Sequence, residues 1–253
     1  MAHSVAHPSG SAFLDALERE LQAHPVHTNP FFRAFQRGVT EAQLRRFVRQ
    51  WYRFGIQFRK ILIGLLYNLS DQDETIGLEL ARVLFSEYGN RVPEDVHAAQ
   101  MLRLADRLGI DRQVLARERL CPEAQIYLDD IGEVFLHGDM PSALGASFGI
   151  ETTAGLTYRY LYSGLLTFPA ALAAGHRVFR SPSFRGTAAR RLASRRPGRV
   201  RGAGGAPRND SRGRVDGDGE MAWSLARHAS FGARRRFHDQ VIGLTSLAVS
   251  AVR

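Results

Sequence analysis

The chain has 253 residues, 44% of them hydrophobic, enough for one large domain with a real core or two small ones. A single cysteine, Cys121, excludes an intrachain disulfide, and the longest apolar run, residues 61–66, is far too short to cross a bilayer. The net charge of +9 would ordinarily point to an acidic partner, but all of it belongs to residues 177–219, where twelve arginines stand against three aspartates and the rest of the chain is balanced.

Taken in chain order, the pattern is helical throughout. Ser11 can cap a helix to about Ala23, with Phe13, Leu14, Leu17 and Leu21 on one face, and Pro25 ends it. Asn29-Pro30 opens a short piece through Phe35. Thr40 and Gln43 form a capping box for a long helix from Glu41 to Leu69. That helix is apolar on most sides, which predicts a central position. Asp71 opens a helix ending near Tyr88, with Gly89 as its stop. Further helices are expected over about 95–108, 111–119, 122–136, 141–168 and 220–252. No strand alternation or internal repeat is present, so the expected fold class is all-α, a bundle with short loops.

Residues 177–219 break this pattern, with eight Gly, three Pro and only scattered apolar residues. Such a segment buries too little to offset its ordering entropy, so poor order is expected there. The organisation is therefore a helical domain over 1–176, an Arg/Gly-rich irregular segment over 177–219, and a C-terminal helix of the bundle over 220–253. Residues 1–18 contain no Lys or Arg, so they lack the basic region of a secretory signal, and the chain is read as cytoplasmic.

Three residues carry the sharpest chemistry. Glu87 sits in the last turn of one helix and His97 in the first turns of the next, across a short loop containing Gly89, Asn90 and Pro93. Glu151 lies mid-helix in the small and apolar run ALGASFGIETTAGLTY, where an acid faces the core or a cavity. Carboxylates and imidazole are ligands suited to non-haem iron, and bundles build such sites from facing helices. Bland alternatives stand beside this reading. Glu87 can cap or pair with Arg82 or Arg91, His97 can be a surface residue at a helix start, and Glu151 can pair with Arg53 or Arg59. Cys121 reads as a structural cysteine, and His24 and His27 as surface loop residues. His228 and the His238-Asp239 pair have ligand chemistry but do not share one helical line. Tyr158, Tyr160 and Tyr162 read as packing residues. No Gly-rich phosphate loop lies between a strand and a helix.

Three segments carry a family resemblance. NPFFRAFQRGVTEAQLRRFVRQWYRFGIQF resembles the opening of the haem-oxygenase-like superfamily, which includes thiaminase II, pyrroloquinoline-quinone synthase and the iron-containing oxidases. LFSEYGNRVPEDVHAAQMLRLADRLGID is similar to the segment where the oxidase branch carries a Glu, a Gly and a metal-binding His. ALGASFGIETTAGLTYRYLYSGL resembles its next ligand helix. The resemblance covers about residues 28–168. It implies a bundle of about seven helices and a mono- or dinuclear non-haem iron centre that uses O2 on a small organic substrate. Glu87, His97 and Glu151 match as metal ligands residue by residue.

Two departures matter. Diiron members bring a Glu from the long early helix, whereas here no acid lies between Glu41 and Asp71, and Gln57 is the nearest polar stand-in. Members also carry a late His/Asp/His cluster, and the corresponding residues 180–192 read RSPSFRGTAARRL. His176, just before that stretch, reads as a loop residue. With 33 Arg and one Lys, Lys60, the composition suggests GC-rich coding, so 177–219 reads either as a frameshifted stretch or as a real Arg/Gly insertion.

The leading expectation is an iron-dependent oxidase or oxygenase, impaired if those late ligands are lost. The alternatives are a cofactor-independent enzyme of the same fold, an inactive relative, or RNA binding by the Arg/Gly segment. The last is disfavoured because only Phe179 and Phe184 could stack on bases. The expected partners are a small substrate and O2; a homodimer is admitted, and a membrane is not.

Overall fold

The computed structural model describes residues 10–71 and 73–169. The predicted irregular segment 177–219, the predicted C-terminal helix, His176, His228 and the His238-Asp239 pair lie outside these residues. Among the described residues there are eight α-helices, two 3-10 turns and no strand.

Helix α1 (Gly10–Gln22) leads through a 3-10 turn, Pro25–Thr28, into α2 (Pro30–Arg37). Both histidines of this turn are half-buried and hydrogen-bonded rather than free on the surface. His24 Nδ1 accepts from the Val26 amide at 3.2 Å, and His27 Nε2 lies 3.0 Å from the Leu21 carbonyl oxygen. Asn29 caps α2 by accepting from the Phe31 amide at 2.9 Å. The expected capping box is present at the start of α3 (Glu41–Leu69): Thr40 Oγ1 accepts from the Gln43 amide, and Gln43 Oε1 accepts from the Thr40 amide.

Helix α3 packs against α4 (Glu74–Glu87), α5 (His97–Arg107), α6 (Arg112–Arg117) and α7 (Pro122–His137). It is the central helix its all-round apolar pattern predicts. Helix α8 (Met140–Leu165) closes the other side, packing on α1, α2 and α7. An aromatic ladder ties these layers together. Phe35 meets Phe47 at 5.1 Å between ring centroids, Phe47 meets Trp51 at 5.3 Å, Trp51 meets Phe54 at 5.9 Å, and Phe54 meets Tyr127 at 5.9 Å. Each such pair is worth roughly 0.5–1.5 kcal/mol beyond its buried area. Gly164 allows α8 to approach α2, because a Cβ there would strike the Phe35 ring and carbonyl oxygen.

Two helix starts differ from the sequence expectation. Helix α4 begins at Glu74 because Asp73 captures the Thr75 and Ile76 amides with one carboxylate oxygen, at 2.7 and 3.1 Å. Helix α5 begins at His97 rather than near Asp95. Pro93–Asp95 forms a 3-10 turn of its own, and Val96 is extended, which separates turn from helix. This second difference places His97 at the first helical position.

Gln50 pins the α6–α7 connection to α3. Its amide nitrogen donates to Glu118 Oε1 at 2.7 Å and to the Arg119 carbonyl at 2.9 Å, while its oxygen accepts from the Cys121 amide at 2.9 Å. Cys121 stands at the start of α7 and makes no side-chain cap. Among the described residues, no helix is long and apolar enough to cross a membrane.

Candidate metal centre

The turn between α4 and α5 is built by three successive left-handed residues, Gly89 (φ 80°), Asn90 (φ 51°) and Arg91 (φ 73°). Gly89 ends α4 in a Schellman motif: its amide donates to the Ser86 carbonyl at 2.9 Å, and the Asn90 amide donates to the Phe85 carbonyl at 3.0 Å. A Cβ at Gly89 would meet the backbone of Val92, Asp95 and Val96, so only glycine fits. A left-handed conformation at a non-glycine residue costs of order 1–3 kcal/mol and persists only where surrounding structure demands it. Here it folds the chain back so that His97 Nδ1 lies 2.9 Å from Glu87 Oε2.

Helix dipoles do not account for this placement. Glu87 is the last residue of α4, at the end carrying partial negative charge, and His97 is the first of α5, at the end disfavouring imidazolium. Neither residue gains from its own helix, whereas a cation bound at the end of α4 would. The bland alternatives for the triad also find no support among the described residues. Arg82 pairs with the buried Glu79 instead of Glu87. Arg91 lies over the Phe85 ring, and Arg59 lies over the Tyr88 ring at 5.0 Å from its centroid. The His97 side chain is 15% exposed, so it is not a surface residue.

Glu151 is buried in α8 and makes no hydrogen bond or ion pair among the described residues. Burial, reinforced by the nearby Glu87 carboxylate, pushes its pKa up to about 8. It therefore holds its proton at neutral pH unless a cation is supplied. The Tyr127 hydroxyl is also buried and has no hydrogen-bond partner among the described residues, and burial with the Glu151 charge moves its pKa upward. Tyr158 shifts in the same direction, chiefly through burial and then through Glu87, Glu151 and Tyr127.

Glu87, His97, Tyr127 and Tyr158 line a cavity of about 60 Å³. Glu87, His97, Tyr127, Thr157, Tyr158 and Arg59 supply its polar lining, and Trp51, Phe54, Phe58, Met101 and Ile150 most of the apolar lining. Glu151 does not itself line it, although Ile150 and Ala154 on the same helix do. The structure thus brings Glu87 and His97 into contact and sets Glu151 within electrostatic reach of Glu87. Among the described residues, no three His, Cys, Asp or Glu side chains converge as a ready metal-holding group. Gln57, the expected stand-in on α3, is not part of the lining, and Arg59 is the charged residue that α3 contributes.

Tyr127 was not singled out from the sequence. It had a usable signal: its hydroxyl rides on the otherwise apolar stripe Ala124, Leu128, Ile131 and Phe135, all fully buried. Arg59 entered the sequence reading only as a possible partner for Glu151, and the structure places it in the cavity lining without that ion pair.

Residues 45–168 match the model of a family described as iron-containing redox enzymes. Among solved structures, a CADD-like protein of unknown function from Nostoc punctiforme PCC 73102 has TM-score 0.66 at 14% identity, over 96% of each chain. A second structure of a protein under the same description has TM-score 0.62 at 15% identity, over 96% of this chain and 99% of that one. At such identities the likeness is one of fold. No curated protein sequence matches the chain.

Proposed function

Since residues 45–168 belong to the iron-containing redox enzymes of haem-oxygenase-like fold, we propose that this chain is a non-haem iron oxidase or oxygenase acting on a small organic substrate with O2. The observation that carries the proposal is the buried Glu151 carboxyl, without a hydrogen bond or ion pair among the described residues and within electrostatic reach of Glu87, which meets His97. A buried carboxylate without a partner is costly, and a dication removes that cost. The donor set, two carboxylates and one imidazole, has the chemistry iron takes.

Glu87, His97 and Glu151 would hold one iron. A single ion is proposed because neither α3 nor residues 180–192 offers a further carboxylate or imidazole toward a second. Bound iron would supply the electrons and open positions that O2 chemistry requires. The surrounding residues do the rest. Trp51, Phe54 and Met101 give the cavity apolar walls. The Tyr127 hydroxyl, without a partner among the described residues, can donate a hydrogen bond to a bound molecule.

Anaerobic loading with Fe(II), followed by desalting and metal analysis, tests this. About one iron per chain is expected for the wild type, and only background for a Glu87→Ala, His97→Ala double variant. Equal iron in both proteins would overturn the assignment.

One observation favours a second reading. A carboxylate–imidazole pair beside a protonated carboxyl is also an acid–base arrangement, as a cofactor-independent enzyme would use. Undiminished turnover of metal-free protein in chelator would select it.

A further inference from the structure

We propose that Gln100 is a positioning residue for the candidate metal centre: its side chain grips the Asp95 carbonyl and so holds His97 against Glu87. Its part in metal binding rests on the reading of that pair as iron ligands, whereas its hold on the pair does not.

The chain passes from the Pro93–Asp95 turn into α5 through Val96, whose side chain gives the helix no cap. Capping contacts fix the angle at which a chain enters a helix. His97 is the first helical residue after this point, so the direction of its imidazole follows that angle. Gln100, one turn further on, supplies what Val96 does not. Its backbone amide donates to the Val96 carbonyl at 3.0 Å, and its side-chain Nε2 donates to the Asp95 carbonyl at 2.9 Å. One residue thus binds the two successive carbonyls that precede His97.

The grip matters because of where the Asp95–Val96 peptide sits. The Asp95 carbonyl carbon and the Val96 nitrogen are among the atoms that a Cβ on Gly89 would strike. This peptide therefore packs on the end of α4, beside the turn that follows Glu87. Rotating its plane would move His97 relative to Glu87, and Gln100 fixes that plane through the peptide oxygen. Arg103 also reaches back, donating to the Glu94 carbonyl, but in an exposed bond one peptide further from His97.

Stability alone does not account for Gln100. It is 4% exposed, and its Oε1 is buried without a hydrogen-bond partner among the described residues. A stranded buried acceptor costs more than an ordinary hydrogen bond contributes. Methionine would fill the same space with no stranded oxygen.

The test uses the full chain carrying Gln100→Met, with Arg103→Met as control. In metal-free protein with chelator, the His97–Glu87 hydrogen bond is read as a downfield imidazole N–H proton resonance, assigned by its loss in His97→Ala. It should be present in the wild type, move upfield or broaden away in Gln100→Met, and persist in Arg103→Met. The Tm of Gln100→Met should change by about 3 °C or less. Co(II), followed by its visible absorption, should bind Gln100→Met about tenfold more weakly than the wild type. No such resonance in the wild type, its persistence in Gln100→Met, or an equal loss in Arg103→Met would overturn the inference. So would a larger fall in Tm, which would make Gln100 a structural residue only, or equal Co(II) affinity in the two proteins. If the resonance behaves as expected and the wild type takes up no Co(II), the iron reading falls and the hold of Gln100 on the pair stands.

Discussion

His97 Nδ1 lies 2.9 Å from Glu87 Oε2, joining the first residue of α5 to the last residue of α4 across a left-handed turn. The contact depends on Gly89, whose missing Cβ leaves room for the returning backbone of Val92, Asp95 and Val96. Gly89→Ala should therefore lower unfolding free energy by about 2–4 kcal/mol, since strain and a backbone clash add. It should also reduce iron uptake by pulling Glu87 and His97 apart. Urea unfolding and metal analysis check both, and wild-type stability would refute the role given to the turn.

Glu151 makes the metal-free protein sensitive to alkali. In the fold its pKa is about 8 against an ordinary 4.5, so the folded chain keeps a proton that the unfolded chain releases. At low pH both states are protonated and nothing is lost. As pH rises through that window the unfolded state gains, and stability falls by up to about 1.4 kcal/mol per pH unit. Glu151→Gln cannot ionise, so its stability advantage over the chelated wild type should widen from pH 5 to pH 8 and then level off. A constant difference across that range would mean that Glu151 is ionised and paired in the fold.

Tyr127→Phe should stabilise the protein while harming its site. The buried hydroxyl has no partner among the described residues, and leaving such a group unsatisfied costs about 1–3 kcal/mol. Phe removes that cost and keeps the ring contact with Phe54. The expected result is a higher Tm together with weaker ligand binding. A lower Tm would show that the hydroxyl is satisfied in solution.

Gln50→Leu should loosen the α6–α7 connection. It removes three hydrogen bonds and leaves the Cys121 amide without its acceptor. A loss of about 2–3 kcal/mol is expected from the stranded groups. The Cys121 thiol should also react faster with a disulfide reagent. Unchanged thiol kinetics would indicate that Gln50 does not hold this loop.

The sequence by itself determined the helical class, the central place of α3, the capping box at Thr40 and the glycine stop at Gly89, because periodicity and end chemistry are local. It also singled out Glu87, His97 and Glu151, through an acid and a histidine flanking a tight turn and an acid in an apolar run. Only the tertiary structure decided how these groups stand to one another. It set His97 on Glu87 through three left-handed residues, left Glu151 without a hydrogen bond or ion pair among the described residues, and placed Arg59 and Tyr127 in the lining of a cavity that no local pattern marks. The reason is physical. A helix start or stop depends on a few neighbouring residues, whereas the protonation of Glu151 and the cavity lining depend on which distant side chains the packing of α3, α7 and α8 brings near.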